Sequence, residues 1–463
     1  MFSLSHVFKA YDIRGVVPDE LNAVQFRAIG VAVARFTGAP TILVARDMRE
    51  SGVALSAAFA LGARSEGVTV VDLGLASTDL LYYAAGSLDA PGAMFTASHN
   101  PARYNGLKLC QSGARPIGRD TGLTEIQATA EALLDEWGSD GPPAPDPDTL
   151  GALEHRSVLD AYADHVRSFV DTSVLRSLKV IADTANGMGG LVAPKVFEGL
   201  PFDVEILFPE LDGNFPNHPA DPIQPENLVA LQQLILDTDA DVGLAFDGDA
   251  DRVFLVDEHA EPVSGSLTTA LVAASLLDKH PGATVLYNCI CSRVVAEVIA
   301  EKGGIGIRTK VGHSFIKQVM ADTGAVFGGE HSGHYYFRDN YRADSGIIAA
   351  LLVLELLSVT GKPLSELLAP YKRYAASGEI NTVVDDPAGA VELMAAEVEA
   401  AGGALGTPDR LDGLTVDRGD WWYNLRPSNT EPLLRLNVEA ADEASCAARV
   451  AEVQESIARL LSA

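Results

Sequence analysis

Cysteine is scarce in this 463-residue chain: Cys110, Cys289, Cys291 and Cys446 stand apart, with no C-x-x-C pair among them. Such spacing supplies neither a disulfide framework nor a thiolate zinc site, and it predicts reduced thiols in a cytoplasmic protein. Positive charge is scarce too. Lys and Arg number 34 against 63 Asp and Glu, which gives a formal net charge of −29 and a pI near 4.6. Nucleic acid and anionic membrane surfaces should be repelled by that field. Long apolar runs are missing. The most apolar stretch, Gly346 to Val359, is interrupted by Glu355 and is too short to cross a bilayer, so no membrane partner is expected. The opening Met-Phe-Ser-Leu-Ser-His has neither the charged nor the apolar region of a signal peptide. The glycine cluster Asn186-Gly187-Met188-Gly189-Gly190 lacks the GxGxxG spacing of a dinucleotide fingerprint.

What is present is a long soluble composition, 47% apolar and 21% charged, enough for about three or four domains at roughly 150 residues each. Hydrophobic periodicity predicts helix over Leu21 to Phe36, strand Thr41 to Asp47, helix Ser51 to Glu66 and strand Val68 to Leu73. That βαβ alternation implies a sheet with a parallel component. A Gly-, Pro- and Asp-rich linker runs from Trp137 to Leu150. A second unit has strands Leu178 to Asp183, Phe202 to Leu207 and Val242 to Phe246. A third is expected to begin at strand Phe254 to Val256 and to continue through strands Thr284 to Cys289 and Ala325 to Gly328. The final segment alternates strands and helices to the closing helix Glu443 to Leu461. The expected architecture is therefore α/β, with three similar α/β domains of mixed sheet, 1–150, 151–253 and 254–370. A smaller C-terminal α+β domain, 371–463, completes it, and the domains surround a central cleft.

Three times a short apolar strand runs into a polar, chemically equipped loop, and ligand sites of open α/β sheets lie at that end of the strands. The first is Thr96-Ala97-Ser98-His99-Asn100-Pro101. Ser98 on a turn at a strand end has the placement of a covalent nucleophile or phosphate carrier, although the same six residues also suit an ordinary turn. The second is Asp247-Gly248-Asp249-Ala250-Asp251-Arg252. Its alternating carboxylates can converge on a hard divalent ion such as Mg²⁺. An EF-hand is excluded, because Arg252 stands where such a loop needs glycine and the flanks read as strands. The third is Gly329-Glu330-His331-Ser332-Gly333-His334. Glu330, Ser332 and His334, two apart, offer acceptors and donors for vicinal hydroxyls, as on a sugar; His334 also suits a plain surface histidine. Near the C-terminus, Arg426-Pro427-Ser428-Asn429-Thr430 combines one guanidinium, two hydroxyls and an amide in a turn, a compact cradle for an anion. In so acidic a chain each basic residue inside a motif carries extra weight; Lys108, on a strand after the turn Tyr104-Asn105-Gly106-Leu107, by itself reads as a solvated strand residue.

These motifs, in this order and at this spacing, resemble the α-D-phosphohexomutase family, and the resemblance covers essentially the whole chain. The Tyr11-Asp12-Ile13-Arg14-Gly15 start, the lone His331 and the Arg426-to-Pro432 motif are most similar to its bacterial phosphomannomutase and phosphoglucomutase branch. The resemblance implies an isomerase that interconverts hexose 1-phosphate and hexose 6-phosphate, mannose first and glucose also, through phosphorylated Ser98 and a hexose 1,6-bisphosphate intermediate and activator. It implies Mg²⁺ held by Ser98, Asp247, Asp249 and Asp251. Arg14, Lys108 and Arg252 would be electrostatic partners of Ser98. Either Lys108 or His334 would accept the proton, with His99 and His313 behind them. Substrate phosphate would sit on Arg426, Ser428, Asn429 and Thr430, with Tyr11 and Lys317 lining that end, while Glu330, Ser332 and His334 grip hydroxyls. One departure stands out: where some members carry a phosphate-binding lysine, this chain has Ile290, leaving Ser292 and Arg293 to substitute or the cradle to be built differently. Rival readings are a phosphoglucosamine mutase, a phosphatase using Ser98, and a non-catalytic sugar-phosphate binder. A monomer or homodimer is expected.

Overall fold

The computed structural model describes residues 2–403, 406–428 and 433–461. Their strands form four sheets, of which three repeat one pattern. In the first, Thr69–Leu75, Thr41–Arg46 and Gly92–Phe95 lie parallel in that order, and Tyr104–Gln111 runs antiparallel beside the last. In the second, Asp203–Leu207, Lys179–Asp183 and Val242–Phe246 are parallel and Val253–Val256 is antiparallel. In the third, Ile305–Thr309, Thr284–Asn288 and Phe327–Gly329 are parallel and Tyr335–Phe337 is antiparallel. The α/β class expected from the sequence is the one observed. The three motif loops, headed by Ser98, Asp247 and Glu330, are the same connection each time: the turn from the last parallel strand into its antiparallel neighbour. That equivalence places all three at strand C-terminal ends, where an α/β sheet presents its ligands.

One placement differs from the sequence reading. The strand Val253–Val256 does not open the third unit; it pairs with Val242–Phe246, Phe246 against Val253. The connecting loop Asp247 to Arg252 is short enough to fold the chain straight back, so the hydrogen bonds of the strand close locally instead of waiting for a later partner. The first sheet likewise gains Leu153–His155, which lies parallel to Val70–Asp72.

A continuous core joins the first three units, running from Leu43 and Leu81 through Val180 and Phe246 to Val285 and Ile347. Its centre is the helix Gly346–Thr360, apolar on every face except at Glu355, which pairs with Lys279, and buried along nearly its whole length, as a helix enclosed by protein on every side should be. Its N-cap Ser345 accepts from the Ile348 N–H and donates to Asp79 at 2.6 Å. The fourth sheet is antiparallel throughout, Ala375–Val383, Leu433–Ala440, Trp422–Pro427, Leu414–Asp417 and Thr407–Asp409. It packs under the helices Pro387–Ala400 and Glu443–Leu461 around a core of its own. No single helix among the described residues is long and apolar enough to cross a membrane.

Candidate active site

Ser98 leaves the strand Gly92–Phe95 in the left-handed region, φ 50°, with its N–H donated to Thr96 Oγ1 at 2.9 Å. The side chain is buried and crosses to the second sheet, where Ser98 Oγ donates to Asp247 Oδ2 at 2.7 Å. Arg252 closes the group from the far side. Its Nε donates to Asp247 Oδ2 at 2.9 Å, and its Nη2 reaches Ser98 Oγ at 3.3 Å and His99 Nδ1 at 2.6 Å. A guanidinium has no lone pair to offer, so His99 accepts at Nδ1. Burial, and then the charges of Arg252 and Arg14, hold the His99 imidazole well below its usual range and therefore neutral.

Asp249 and Asp251 complete the acidic turn. Lys108, on the strand Tyr104–Gln111, donates to Asp249 Oδ2 at 2.8 Å and Asp251 Oδ2 at 2.6 Å. Thr78, at the start of the helix Thr78–Ser87, gives both its N–H, to the Asp249 carbonyl at 3.0 Å, and its hydroxyl, to Asp249 Oδ2 at 2.6 Å. The sequence reading did not find this helix or the role of Thr78. The electrostatics follow from burial. Desolvation, opposed by Arg252 and reinforced by Asp249 and Asp251, pushes the Asp247 carboxyl up to about 8. Burial pushes Asp249 up as well, but Lys108 outweighs it and leaves that carboxyl well below the usual range. For Lys108 burial works against the charge, and Asp249 and Asp251 overcome it, so the ammonium persists.

The turn fits a divalent cation. One oxygen from each of Asp247, Asp249 and Asp251 lies within 4.8 Å of the others. Asp249 Oδ1 and Asp251 Oδ1 are buried without a hydrogen-bond partner among the described residues, an arrangement costly to keep unless a cation takes up the lone pairs. All donors are hard oxygens, which suits Mg²⁺ over softer metals.

The third loop joins through His334, whose backbone bridges Arg252 and whose Nε2 stands 3.8 Å from Asp251 Oδ1. Ser332 Oγ lies 2.9 Å from His334 Nδ1. Glu330 is turned inward: Oε1 accepts from Asn288 Nδ2 at 3.1 Å and Gly312 N at 3.0 Å, and Oε2 from the Tyr336 hydroxyl at 2.7 Å. Much of its acceptor capacity is thus spent on shaping the loop. Arg14 donates to Asn100 Oδ1 at 2.6 Å and to Asp12 at 2.5 Å, beside the Ser98 turn.

Arg426, at the end of the strand Trp422–Pro427, is tied to Glu379 at 2.6 Å, and its buried Nε has no hydrogen-bond partner among the described residues. On the neighbouring turn of the same unit, Asp412 Oδ2 accepts the Val311 N–H at 3.0 Å, which brings the fourth unit against the third. Tyr11 donates to the Val311 carbonyl at 3.2 Å, and burial, then Asp412 and Glu330, push its phenol up to about 12. Ser428 Oγ lies 3.3 Å from Arg435 Nη2. Asn429 and Thr430 lie outside the described residues, as does the side chain of His313. Lys317 is fully buried, 2.8 Å from Asp344 and under the Tyr82 ring, 3.7 Å from its centroid. Beside Ile290, Ser292 caps the helix Arg293–Glu301, and Arg293 donates to the Asp417 carboxylate and the Gly419 carbonyl.

Comparison with known proteins agrees with this geometry. Models of the phosphoglucomutase/phosphomannomutase family match in order: α/β/α domain I at residues 5–135, domain II at 160–261, domain III at 264–374 and the C-terminal domain at 379–459. The chain is 42% identical over 441 residues to a Xanthomonas campestris protein described as phosphohexose mutases, covering 95% of this chain and 96% of that one. It is 39% identical to a phosphomannomutase of Salmonella montevideo, covering 94% of each. The crystal structure of a Burkholderia thailandensis phosphoglucomutase/phosphomannomutase family protein superposes with a TM-score of 0.86 at 32% identity, covering 100% of this chain and 98% of that one. With a buried serine, an acidic turn and their cations assembled in one place, the chain belongs to the phosphoglucomutase/phosphomannomutase family and is a phosphohexomutase.

Proposed function

We propose that the enzyme moves a phosphoryl group between the 1- and 6-oxygens of a hexose, mannose first and glucose also, with Ser98 as the covalent carrier and a hexose 1,6-bisphosphate as the intermediate and activator. The observation that carries this reading is Ser98 Oγ 2.7 Å from Asp247 Oδ2 with Arg252 Nη2 at 3.3 Å. A serine so placed has a cation at hand for charge on its oxygen and an acidic turn for a metal beside it. Phosphorylation would add about −1.5 to −2 charge here, against the acidic side chains of Asp247, Asp249 and Asp251, whose lysine and arginine partners among the described residues are Lys108 and Arg252. Mg²⁺ held by Asp247, Asp249, Asp251 and the Ser98 oxygen would supply the missing positive charge and polarise the bond to phosphorus.

The chain's own groups account for the rest. The substrate phosphate rests on Arg426 and Ser428, and Tyr11 borders that end; Asn429, Thr430 and His313 are assigned to the same role from the sequence motif alone. Ser332 and His334 meet sugar hydroxyls, and Glu330 fixes the loop that presents them. The free hydroxyl attacks phosphorus, its new O–P bond forming as the Ser98 Oγ–P bond breaks. The hydroxyl proton passes to His334, since Lys108 is held as an ammonium between two carboxylates and acts as a cation. Arg14 and Arg252 flank the oxyanion that develops on Ser98, and neutral His99 orients Arg252. After the bisphosphate turns end for end, Ser98 Oγ attacks its other phosphate and the released sugar oxygen regains a proton.

A coupled assay tests this with mannose 1-phosphate, glucose 1-phosphate and glucosamine 1-phosphate, each with and without added hexose 1,6-bisphosphate. Isomerisation of the mannose and glucose esters, stimulated by the bisphosphate, is the expected result. Stoichiometric release of inorganic phosphate would identify a phosphatase, and a preference for the glucosamine ester would reassign the substrate.

A further inference from the structure

The side chain of Arg49 is fully enclosed, 1% exposed, and every one of its five N–H groups is spent. Nε donates to Asp47 Oδ2 at 3.2 Å. Nη1 donates to the carbonyls of Pro101 and Tyr104 at 2.9 and 3.1 Å, and Nη2 to those of Ser98 and Asn100 at 2.8 and 2.6 Å. Four of its five acceptors are therefore main-chain oxygens of a single loop, the one that carries Ser98. The clamp is itself anchored: Asp47 Oδ1 accepts the Arg49 N–H at 2.9 Å. The second unit lies over it, with the Phe215 ring 5.2 Å from the guanidinium and Gly213 so close that an added Cβ would stand 2.7 Å from Arg49 Cα.

This loop needs holding. Ser98 is a non-glycine residue at φ 50°, a conformation that L-residues avoid and that persists only where surroundings impose it. Asp247 and Arg252 grip its hydroxyl end and Thr96 Oγ1 takes its N–H, while the carbonyl that completes its backbone orientation is held by Arg49 Nη2. We propose that Arg49 is a positioning residue for Ser98, a buried five-point clamp that holds the phosphoryl-carrying loop in its left-handed turn so that Oγ faces the acidic cluster. The inference rests on Ser98 being the phosphoryl carrier. Arginine is required because its planar fork spans acceptors on several residues at once, whereas lysine is a point charge with three donors on a flexible stem.

Arg49→Lys is the test, read as the initial rate at which hexose 1,6-bisphosphate phosphorylates Ser98, followed by intact mass. The rate should fall about 10-fold or more, as for a misplaced reacting group. The KM for hexose 1-phosphate and the affinity for Mn²⁺ at the aspartates should stay within about 3-fold, because neither is made by this loop's main chain. A merely structural role would instead lower the rate only in proportion to the Mn²⁺-binding sites lost. Where Arg49→Lys does not fold, Asp47→Asn carries the test: it leaves the guanidinium but loosens its anchor, and a slowing of about 3-fold with unchanged KM is expected. Wild-type protein that takes up no phosphate on Ser98 removes the carrier reading and this inference with it. Wild-type uptake together with unchanged rates in the folded variant removes this inference alone.

Discussion

Gly248 offers a direct way to move the acidic turn away from Ser98 without changing any charged group. A Cβ built there would lie 2.4 Å from the Ser98 carbonyl oxygen, where a carbon–oxygen contact settles at about 3.3 Å or more. The oxygen is main chain and clamped by Arg49, so it cannot swing aside, and the two loops must part by about 0.9 Å to reach that contact distance. Gly248 lies outside the left-handed region, so alanine itself is free to adopt its backbone and the whole effect is the collision. Opening the gap stretches the 2.7 Å contact between Ser98 Oγ and Asp247 Oδ2 to about 3.6 Å, beyond a hydrogen bond. Displacement of a reacting group by about 1 Å is worth roughly 10²-fold in rate, and the overpacking itself costs about 1–3 kcal/mol of stability. Gly248→Ala should therefore lower kcat about 10²-fold, with the KM for hexose 1-phosphate within about 3-fold because the Arg426 end is untouched. Gly52→Ala serves as the control: its added Cβ meets nothing closer than 3.6 Å and lies in the helix Glu50–Arg64. If folded Gly248→Ala turns over within 3-fold of wild type, the close approach of the two loops is not what catalysis depends on, and the reasoning fails.

Three further outcomes follow from the same site. Ser98→Ala should reduce mutase turnover to the floor of the coupled assay and abolish phosphate uptake from hexose 1,6-bisphosphate by intact mass; retained activity would remove the serine as carrier. Asp249→Asn removes a carboxylate on which Lys108, Thr78 and Thr96 converge, and Mn²⁺ affinity by calorimetry should weaken about 10-fold or more along with the rate; an unchanged titration would move the metal elsewhere. Asp79 is the acidic group at the junction of three units, accepting hydroxyls from Ser77, Tyr162 and Ser345, and burial, against those hydrogen bonds, pushes it up from 3.8 to about 6. A carboxyl whose folded value lies above its unfolded one binds its proton more readily when folded, so its contribution to stability grows as pH falls through that window. Between about pH 7.5 and about pH 5.5 wild type should gain about 1 kcal/mol relative to Asp79→Asn in urea unfolding. Parallel pH dependences in the two proteins would refute the burial argument.

How much of this was legible in the sequence depends on whether a residue's partner leaves a mark in residue types. The strand Val242–Phe246 and the helix Glu443–Leu461 were readable to the residue, because one is a bounded apolar run and the other a long amphipathic period. The helix Thr78–Ser87 escaped because nearly every side chain from Thr78 to Ala85 is buried, and a helix enclosed on all sides has no polar face to give it a period. The strand Val253–Val256 was seen but given to the wrong unit, since a pattern of apolar residues names a strand and not its neighbour. Ser98, the aspartates of the acidic turn and Arg252 stood out because chemistry demands those side chains in those motifs, Lys108 only through the family resemblance, and the structure brings them within hydrogen-bond reach of one another. Arg49 was not, because four of its acceptors are backbone carbonyls some fifty residues away, at Ser98, Asn100, Pro101 and Tyr104. Any residue type has a carbonyl, so such a contact constrains the arginine alone and leaves nothing in its partners to read. The same holds for the turn of Glu330 toward Asn288, Gly312 and Tyr336: its presence in a sugar-loop motif is visible, but the direction its carboxylate faces is decided by donors on distant segments. What sequence conceals here is therefore the support beneath the reacting groups, and that support is where Arg49→Lys and Gly248→Ala act.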